Sequence, residues 1–186
     1  MKNFLLLIFL FTASQFLFAQ TEDAEAYKKI SLIADAEEKI EAIQKFRKDY
    51  PQSSYNTRAL YDLFSSYSSL KNEDSAVYYA EQYLSILPAN NRISAYNSVA
   101  YTLALNEIGL SKAEEYINIA VASARETKSR ILNAYLDTQA LIIYHLGNTD
   151  SALALQREAI VGHETDPEYL LNLGIYEEAS GNKEAA

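Results

Sequence analysis

Small residues recur along this chain at a nearly constant spacing. Each stands near the start of an apolar segment with helical periodicity, and the set consists of Ala76, Ala113, Ala152 and Ala186. Successive members are 37, 39 and 34 residues apart, and Pro51 and Pro88, which end two such segments, are also 37 residues apart. A small side chain lets two helices approach closely, whereas a bulky one would overpack their crossing at a cost of about 1–3 kcal/mol. The spacing predicts a repeated unit of two helices.

The composition and the turn residues favour helices throughout. The 186 residues are 49% hydrophobic with only 5 Gly and 3 Pro, which allows a core but leaves few residues for tight turns between strands. Short turn clusters separate the helical segments at 51–53, 72–74, 88–90, 109–111, 147–149, 162–164 and 181–182. We therefore predict an all-α fold in which helices alternate with short turns.

Several turns carry helix-end signals. Ser111 with Glu114 forms a capping-box pattern, which predicts a helix start at Ser111. The Asp166-Pro167 pair places a cap before a first-turn proline, and Gly147 and Gly162 suit left-handed C-terminal caps. These signals predict helix boundaries independently of the repeat.

The last two units resemble the tetratricopeptide (TPR) repeat family. Segment 170–176, followed by Gly181 and Ala186, has the spacing of that family's leucine-glycine pair, mid-hairpin glycine and second-helix alanine. The preceding unit keeps this register at Leu136, Ala140, Gly147, Ala152 and Ala159. The resemblance implies an all-α, right-handed superhelical solenoid of antiparallel helix pairs, with about four to five repeats and an incomplete last one. The rival architecture is an ordinary helical bundle, in which contacts are not confined to neighbouring units.

Earlier units match the repeat more loosely. One repeat fits at Leu63, Tyr67, Ala76 and Pro88. The next requires one extra residue in the turn near Gly109 and fits at Val99, Ala100, Leu103, Ala113 and Ala120. The 35–51 segment is similar to the second helix of a degenerate first repeat. We therefore predict a degenerate helical hairpin at 20–52 and TPR-like repeats at 53–186. The last repeat is truncated within its second helix, so we expect the native polypeptide to continue beyond Ala186.

The first twenty residues have the features of a secretory signal peptide. Lys2 precedes an apolar run from Phe4 to Phe11, and Ala19 offers a cleavage site before an acidic stretch. Ser14 is a second possible junction, and an uncleaved anchor is the alternative, although the apolar run is short for spanning ~30 Å of hydrocarbon. We predict a signal peptide at 1–19 and a periplasmic or secreted protein that is not inserted in the membrane after cleavage.

Charge and cysteine content narrow the classes of partner and chemistry. The net charge is −9, which argues against nucleic acid and anionic membrane surfaces because both need a basic footprint. The alternative is that the acidity only keeps the domain soluble. Cysteine is absent, so disulfides and thiolate chemistry are excluded within this sequence. No cofactor or metal is predicted.

The resemblance implies a protein or peptide partner in a groove lined by the first helix of each pair. Carried over position by position, it marks Arg58, Tyr61, Ser65, Asn97, Tyr101, Asp137, Leu141, Tyr144, Leu171 and Ile175. Tyrosine is favoured at interfaces because its rigid ring gives contact area at low entropy cost. The alternative is that these tyrosines pack between helices. Only Arg58 and Asn97 suit the carboxylate clamp of some family members, so a clamp is not supported.

No catalytic constellation is visible. His145 and His163 lack a second ligand or a nucleophile at helical spacing, and pairs such as Glu37-Glu38 are typical of solvated helix faces. We predict a non-catalytic binding module. A second hypothesis is that the chain is similar to the N-terminal helical region of TlpA-like thioredoxin-domain reductases, whose catalytic domain would lie beyond Ala186.

Overall fold

The computed structural model describes residues 22–181, and the regular secondary structure in this part of the chain is all helix. It begins in α1, residues 22–31. The following helices are α2 (Ala36–Asp49), α3 (Asn56–Ser69), α4 (Glu73–Ile86), α5 (Ala89–Leu105), α6 (Leu110–Glu126), α7 (Leu132–His145), α8 (Thr149–Ala159) and α9 (Pro167–Ala179). The prediction of an all-α fold is confirmed. The predicted signal peptide and Ala186 lie outside the described residues, and the predicted domain limits stay predictions.

Contacts divide the chain into two compact units, the first ending at Tyr83 and the second beginning at Leu84. In the first unit, α1, α2 and α3 surround a core of Tyr27, Ile30, Ile40, Ile43, Phe46, Ala59 and Leu63. Asp35 caps α2 by accepting a hydrogen bond from the backbone N–H of Glu38 at 2.9 Å. The segment predicted as the second helix of a first pair is therefore α2.

The second unit is built from consecutive helix pairs. Helices α5 and α6 form one pair, α7 and α8 form the next, and α9 follows. Helix α5 packs on α6 and α7, whereas α9 packs on α8 and α7. Each helix thus packs chiefly on helices one or two places away in the chain, as expected for repeats rather than for an ordinary bundle.

The recurring alanines occupy equivalent positions at the start of second helices. Ala76, Ala113 and Ala152 are fully buried. Each donates its backbone N–H to the carbonyl oxygen four residues earlier, at 2.9, 2.9 and 3.0 Å respectively. Each is the fourth residue of its helix, and Ala152 packs in one cluster with Ala140 of the partner helix α7. The spacing predicted from the sequence therefore corresponds to one repeated buried position.

Left-handed residues end several helices. After α3, α5, α6 and α7, the first residue beyond the C-cap has a positive φ, and these residues are Lys71, Glu107, Lys128 and Gly147. At Gly147 two hydrogen bonds of the Schellman motif close the turn, from its own N–H to Tyr144 and from Asn148 N–H to Ile143. Gly162, two residues after the C-cap of α8, is also left-handed. The predicted conformation of both glycines is confirmed.

The turn between α5 and α6 contains the predicted extra residue, but the capping box is wrong. Ile108 is inserted between the left-handed Glu107 and the N-cap residue Gly109, and its side chain is buried. Gly109 is itself left-handed, with φ 55° and ψ 33°, so the helix starts at Leu110 without a side-chain cap. Ser111 is therefore already inside the helix and cannot cap it.

At α9 the predicted cap is confirmed. Asp166 accepts a hydrogen bond from the backbone N–H of Glu168 at 3.0 Å, with Pro167 at the first helical position. No helix within residues 22–181 combines the length and apolar character needed to cross a membrane.

Candidate partner-binding surface

The ten residues predicted to contact a partner lie on first helices of pairs in both units. Arg58, Tyr61 and Ser65 belong to α3 in the first unit, and the other seven belong to α5, α7 and α9 in the second. No observation tests partner contact at these positions, which therefore stays a prediction.

In the first unit, Arg58 and Tyr61 are engaged by neighbouring side chains. The Nε of Arg58 donates to Asp62 Oδ1 at 2.8 Å, and the guanidinium lies 5.5 Å from the centre of the Tyr61 ring. Tyr61 also meets Tyr83 edge-on at 5.3 Å. Asp62 Oδ2 accepts from the Tyr27 hydroxyl at 2.7 Å, and burial together with this carboxylate raises the pKa of Tyr27. Arg58 is thus charge-paired, and Tyr61 packs within its unit.

On α5, the exposed side chains follow one another along one face. Tyr101 is 42% exposed, and Leu105, one turn later, is also exposed. Asn97, one turn before Tyr101, is half-buried. Leu105 was not among the predicted residues because it lies beyond the last register position carried over from the family. Its i, i+4 relation to Tyr101 was the available signal.

On α7, Tyr144 and Asp137 contact the neighbouring helices. The Tyr144 ring lies 4.8 Å from the ring of Tyr176 on α9. Asp137 Oδ1 accepts from Gln156 Nε2 on α8 at 2.8 Å and from Asn172 Nδ2 on α9 at 3.0 Å. Both residues therefore help to join three helices. Leu141, between them, is half-buried.

Gln156 is the buried centre of this network. Its side chain is fully buried, and its Nε2 donates to Asp137 and also to the carbonyl of Tyr169 at 3.1 Å. Burial and the nearby Asp137 carboxylate raise the pKa of Tyr169 and of Tyr176. The sequence analysis missed Gln156 because nothing local to it signals a buried amide.

Helix α9 exposes apolar side chains on one face and buries them on another. Leu171 is 65% exposed and Ile175 is 40% exposed, whereas Tyr176 is only 1% exposed. Tyr176 packs in a cluster with Ala140, Ala152 and Leu153, which covers its ring.

The two histidines contact aromatic rings. His145 lies edge-on to Tyr144 at 5.7 Å, and His163 stacks on Tyr169 at 5.0 Å. Among residues 22–181 no group of three or more His, Cys, Asp or Glu side chains could hold a metal ion.

Comparison with known proteins identifies the architecture. No family model matches the sequence, and no curated protein matches it. One similar solved structure contains the nearly identical TPR-like repeats of a Podosopora anserina protein described as a kinesin light chain. Its TM-score is 0.64 at 17% sequence identity, over 89% of this chain and 89% of that chain. A single-substitution variant of the same protein gives a TM-score of 0.65 at 17% identity, over 89% and 88% respectively.

These matches support the TPR resemblance stated from the sequence and give no support to the TlpA-like alternative. At this level of identity they establish the fold. The helix pairs, the repeated alanine position and the neighbour-to-neighbour packing agree with it. The chain therefore has the fold of a tetratricopeptide-type repeat protein.

Proposed function

We propose that this chain is an exported, non-catalytic scaffold that binds a segment of another protein through the first helices of its pairs. A TPR-like fold supports an interaction scaffold in general. The observation that carries the finer proposal is the exposure of Tyr101, Leu171 and Ile175 on first helices whose other faces are buried. These residues stand at positions that the repeat register predicts for a ligand-facing surface.

The expected energetics follow from the exposed apolar area. Full burial of a leucine side chain contributes about 1.5–3 kcal/mol, and Leu171 retains 65% of its accessible surface. Covering it with a partner should therefore contribute about 1–2 kcal/mol, or roughly 5–30-fold in affinity. Tyr101 adds a rigid ring with a polar tip, a side chain that interfaces favour.

Tyr144 is a weaker test position than Tyr101. Its ring lies against Tyr176, so removing it would also disturb the packing of α7 on α9. Tyr101→Ala and Leu171→Ala remove exposed side chains instead. Ile119→Ala is the matched control, since Ile119 is 39% exposed but lies on α6, a second helix.

The experiment selects peptides from a random display library against the wild-type chain and measures their affinities for each variant. Tyr101→Ala and Leu171→Ala should each weaken the selected peptides about 5–30-fold, whereas Ile119→Ala should change affinity less than about two-fold. If Ile119→Ala weakens binding as much as the other two, the partner does not use the first helices. The proposal would then be wrong.

We also propose export, on the evidence of the first residues of the sequence. Lys2, the apolar run to Phe11 and the junction at Ala19 support it. N-terminal sequencing of the protein expressed in a bacterium should find a mature start after Ala19, in the periplasmic fraction or the medium. An intact Met1 on protein recovered from the cytoplasm would contradict export.

A further inference from the structure

Asp137 is a half-buried carboxylate that neutral groups hold in place. Both of its hydrogen bonds reach Oδ1, one from the Gln156 amide and one from the Asn172 amide. No lysine or arginine of residues 22–181 forms an ion pair with it. A carboxylate partly removed from water is stabilised best by a cation with N–H donors, and the described residues supply none at Asp137.

The adjoining Gln156 amide also lacks a donor. Its Oε1 is buried and has no hydrogen-bond partner within the described chain, while its Nε2 is held by Asp137 and the Tyr169 carbonyl. The two bonds of Nε2 fix the orientation of the amide. The Tyr176 hydroxyl, close to Asp137, is likewise buried without a partner, so the described residues give this cluster a neutral donor but no cation. An ammonium group carries three N–H donors and a guanidinium five, so either matches it.

Apolar side chains occupy the positions of α9 that correspond in the repeat register to Asp137 and Leu141 on α7. Leu171 stands 34 residues after Asp137, and Ile175 stands 34 residues after Leu141. The Asp137–Asn172 hydrogen bond and the contact between the Tyr144 and Tyr176 rings hold α7 against α9. Leu171 and Ile175 are exposed. Because Asp137 pairs with Asn172 and Tyr144 with Tyr176, α7 and α9 run in the same direction, and the exposed leucine and isoleucine follow that direction.

The charges of the first helices in this unit favour a cationic partner. Arg92 is their single basic residue other than histidine, and its Nη2 donates to the carbonyl of Leu87, which precedes α5. The acidic residues of α9 include Glu168 and Glu178, which are exposed. Arg125 and Arg157 belong to second helices and are paired with Glu158 and Glu177.

We propose that this face of α7 and α9 binds a basic, apolar segment of a partner protein, placing a lysine or arginine on Asp137 and apolar side chains on Leu171 and Ile175. This inference rests on the proposed function and names the chemistry of its partner. Neighbouring apolar side chains select a peptide over a simple polyamine, because only the peptide fills both parts of the surface.

The probes are three short synthetic peptides of equal length and a polyamine. One peptide alternates lysine with leucine, the second has glutamine in place of lysine, and the third has glutamate. The wild-type chain should bind the lysine peptide at least about 10-fold more tightly than the glutamine peptide, and the glutamate peptide most weakly. Spermidine should bind at least about 10-fold more weakly than the lysine peptide. Equal affinity for spermidine would overturn the assignment of a protein segment.

Asp137→Asn tests the carboxylate with nearly unchanged shape. It should weaken the lysine peptide about 10-fold and leave the glutamine peptide within about two-fold. Asp150→Asn, which removes an exposed acid of α8, is the matched control and should change neither. If Asp137→Asn does not fold, an NMR titration of the wild-type chain still tests the proposal. The carboxyl carbon signal of Asp137 should shift on titration with the lysine peptide and stay in place with the glutamine peptide.

The outcomes separate this inference from the proposed function. If Leu171→Ala weakens all the peptides but lysine gives no advantage and the Asp137 signal does not move, the cation site is wrong and the scaffold proposal stands. If Leu171→Ala changes no affinity, the proposed first-helix surface fails. If Asp150→Asn weakens binding of the lysine peptide as much as Asp137→Asn does, the attraction comes from the overall negative charge. The proposed site at Asp137 would then be wrong.

Discussion

Several helices end in a residue with positive φ, and such a residue should lower the stability of the protein wherever it is not glycine. Glu107 and Lys128 have φ of 53° and 51° at positions that Gly147 fills elsewhere with φ 86°. For a residue with a Cβ, this conformation costs about 1–2 kcal/mol, whereas glycine adopts it freely. Replacing such a residue by glycine removes this strain. Glycine is also more flexible in the unfolded chain, which offsets about 0.5–1 kcal/mol of the gain in stability. Each replacement by glycine should therefore stabilise by about 1 kcal/mol.

The charges of Glu107 and Lys128 shift the expected change in stability in opposite directions. Glu107 follows the C-terminus of α5 and Lys128 follows that of α6, where the helix dipole favours cations by about 0.3–1 kcal/mol. Glu107→Gly removes an unfavourable anion and should stabilise by about 1–2 kcal/mol. Lys128→Gly removes a favourable cation and should stabilise by less, about 0.5 kcal/mol. High salt should bring the two values together because it screens the charge contribution.

Urea unfolding followed by far-UV circular dichroism measures these differences, with the slope of the transition checked for change. Gly147→Ala is the reverse test. A Cβ at Gly147 would meet nothing within 4 Å, so no clash contributes. The expected loss is about 1 kcal/mol, which is the backbone strain less the stabilisation gained because alanine is less flexible than glycine in the unfolded chain. Ala122→Gly, at an exposed position inside α6, is the control and should destabilise by about 1 kcal/mol. If Glu107→Gly destabilises as Ala122→Gly does, or Gly147→Ala is neutral, the strain argument is refuted.

Three further predictions concern other elements. Ala113→Leu should cost about 1–3 kcal/mol by overpacking the fully buried crossing of α6, whereas the same change at the exposed Ala122 should be nearly neutral in urea unfolding. Asp166→Ala should cost about 1 kcal/mol by removing the cap of α9, seen as faster hydrogen exchange in that helix than in α7. The hydrogen bond from the Gly162 N–H lowers the pKa of the Glu164 carboxyl below its ordinary value of 4.5. The ionised carboxylate therefore stabilises the fold above pH 4.5, and this contribution is lost as the pH falls through the lowered pKa. Glu164→Gln should remove that part of the acid dependence of the free energy of unfolding, measured by urea unfolding at several pH values.

The sequence by itself determined the helices, their pairing and several of their ends. The alanine spacing was sufficient to predict the helix pairs, because every repeat needs a small residue at the same buried position. The cap at Asp166 could be predicted because capping involves residues only two or three positions apart. The repeat register also placed Tyr101 and Leu171 on first helices with exposed side chains. The capping box at Ser111 failed since the left-handed Gly109 starts the helix earlier.

Only the tertiary structure decided which side chains are covered and what they bond. Tyr101 is exposed while Tyr176 is buried, although both are tyrosines on first helices of the second unit. Asp137 is joined to Gln156 and Asn172, residues 19 and 35 positions away. Burial and hydrogen bonding at such positions depend on the neighbouring helices that pack against them. Periodicity along one helix therefore gives the face on which a residue lies but not the groups that meet it there.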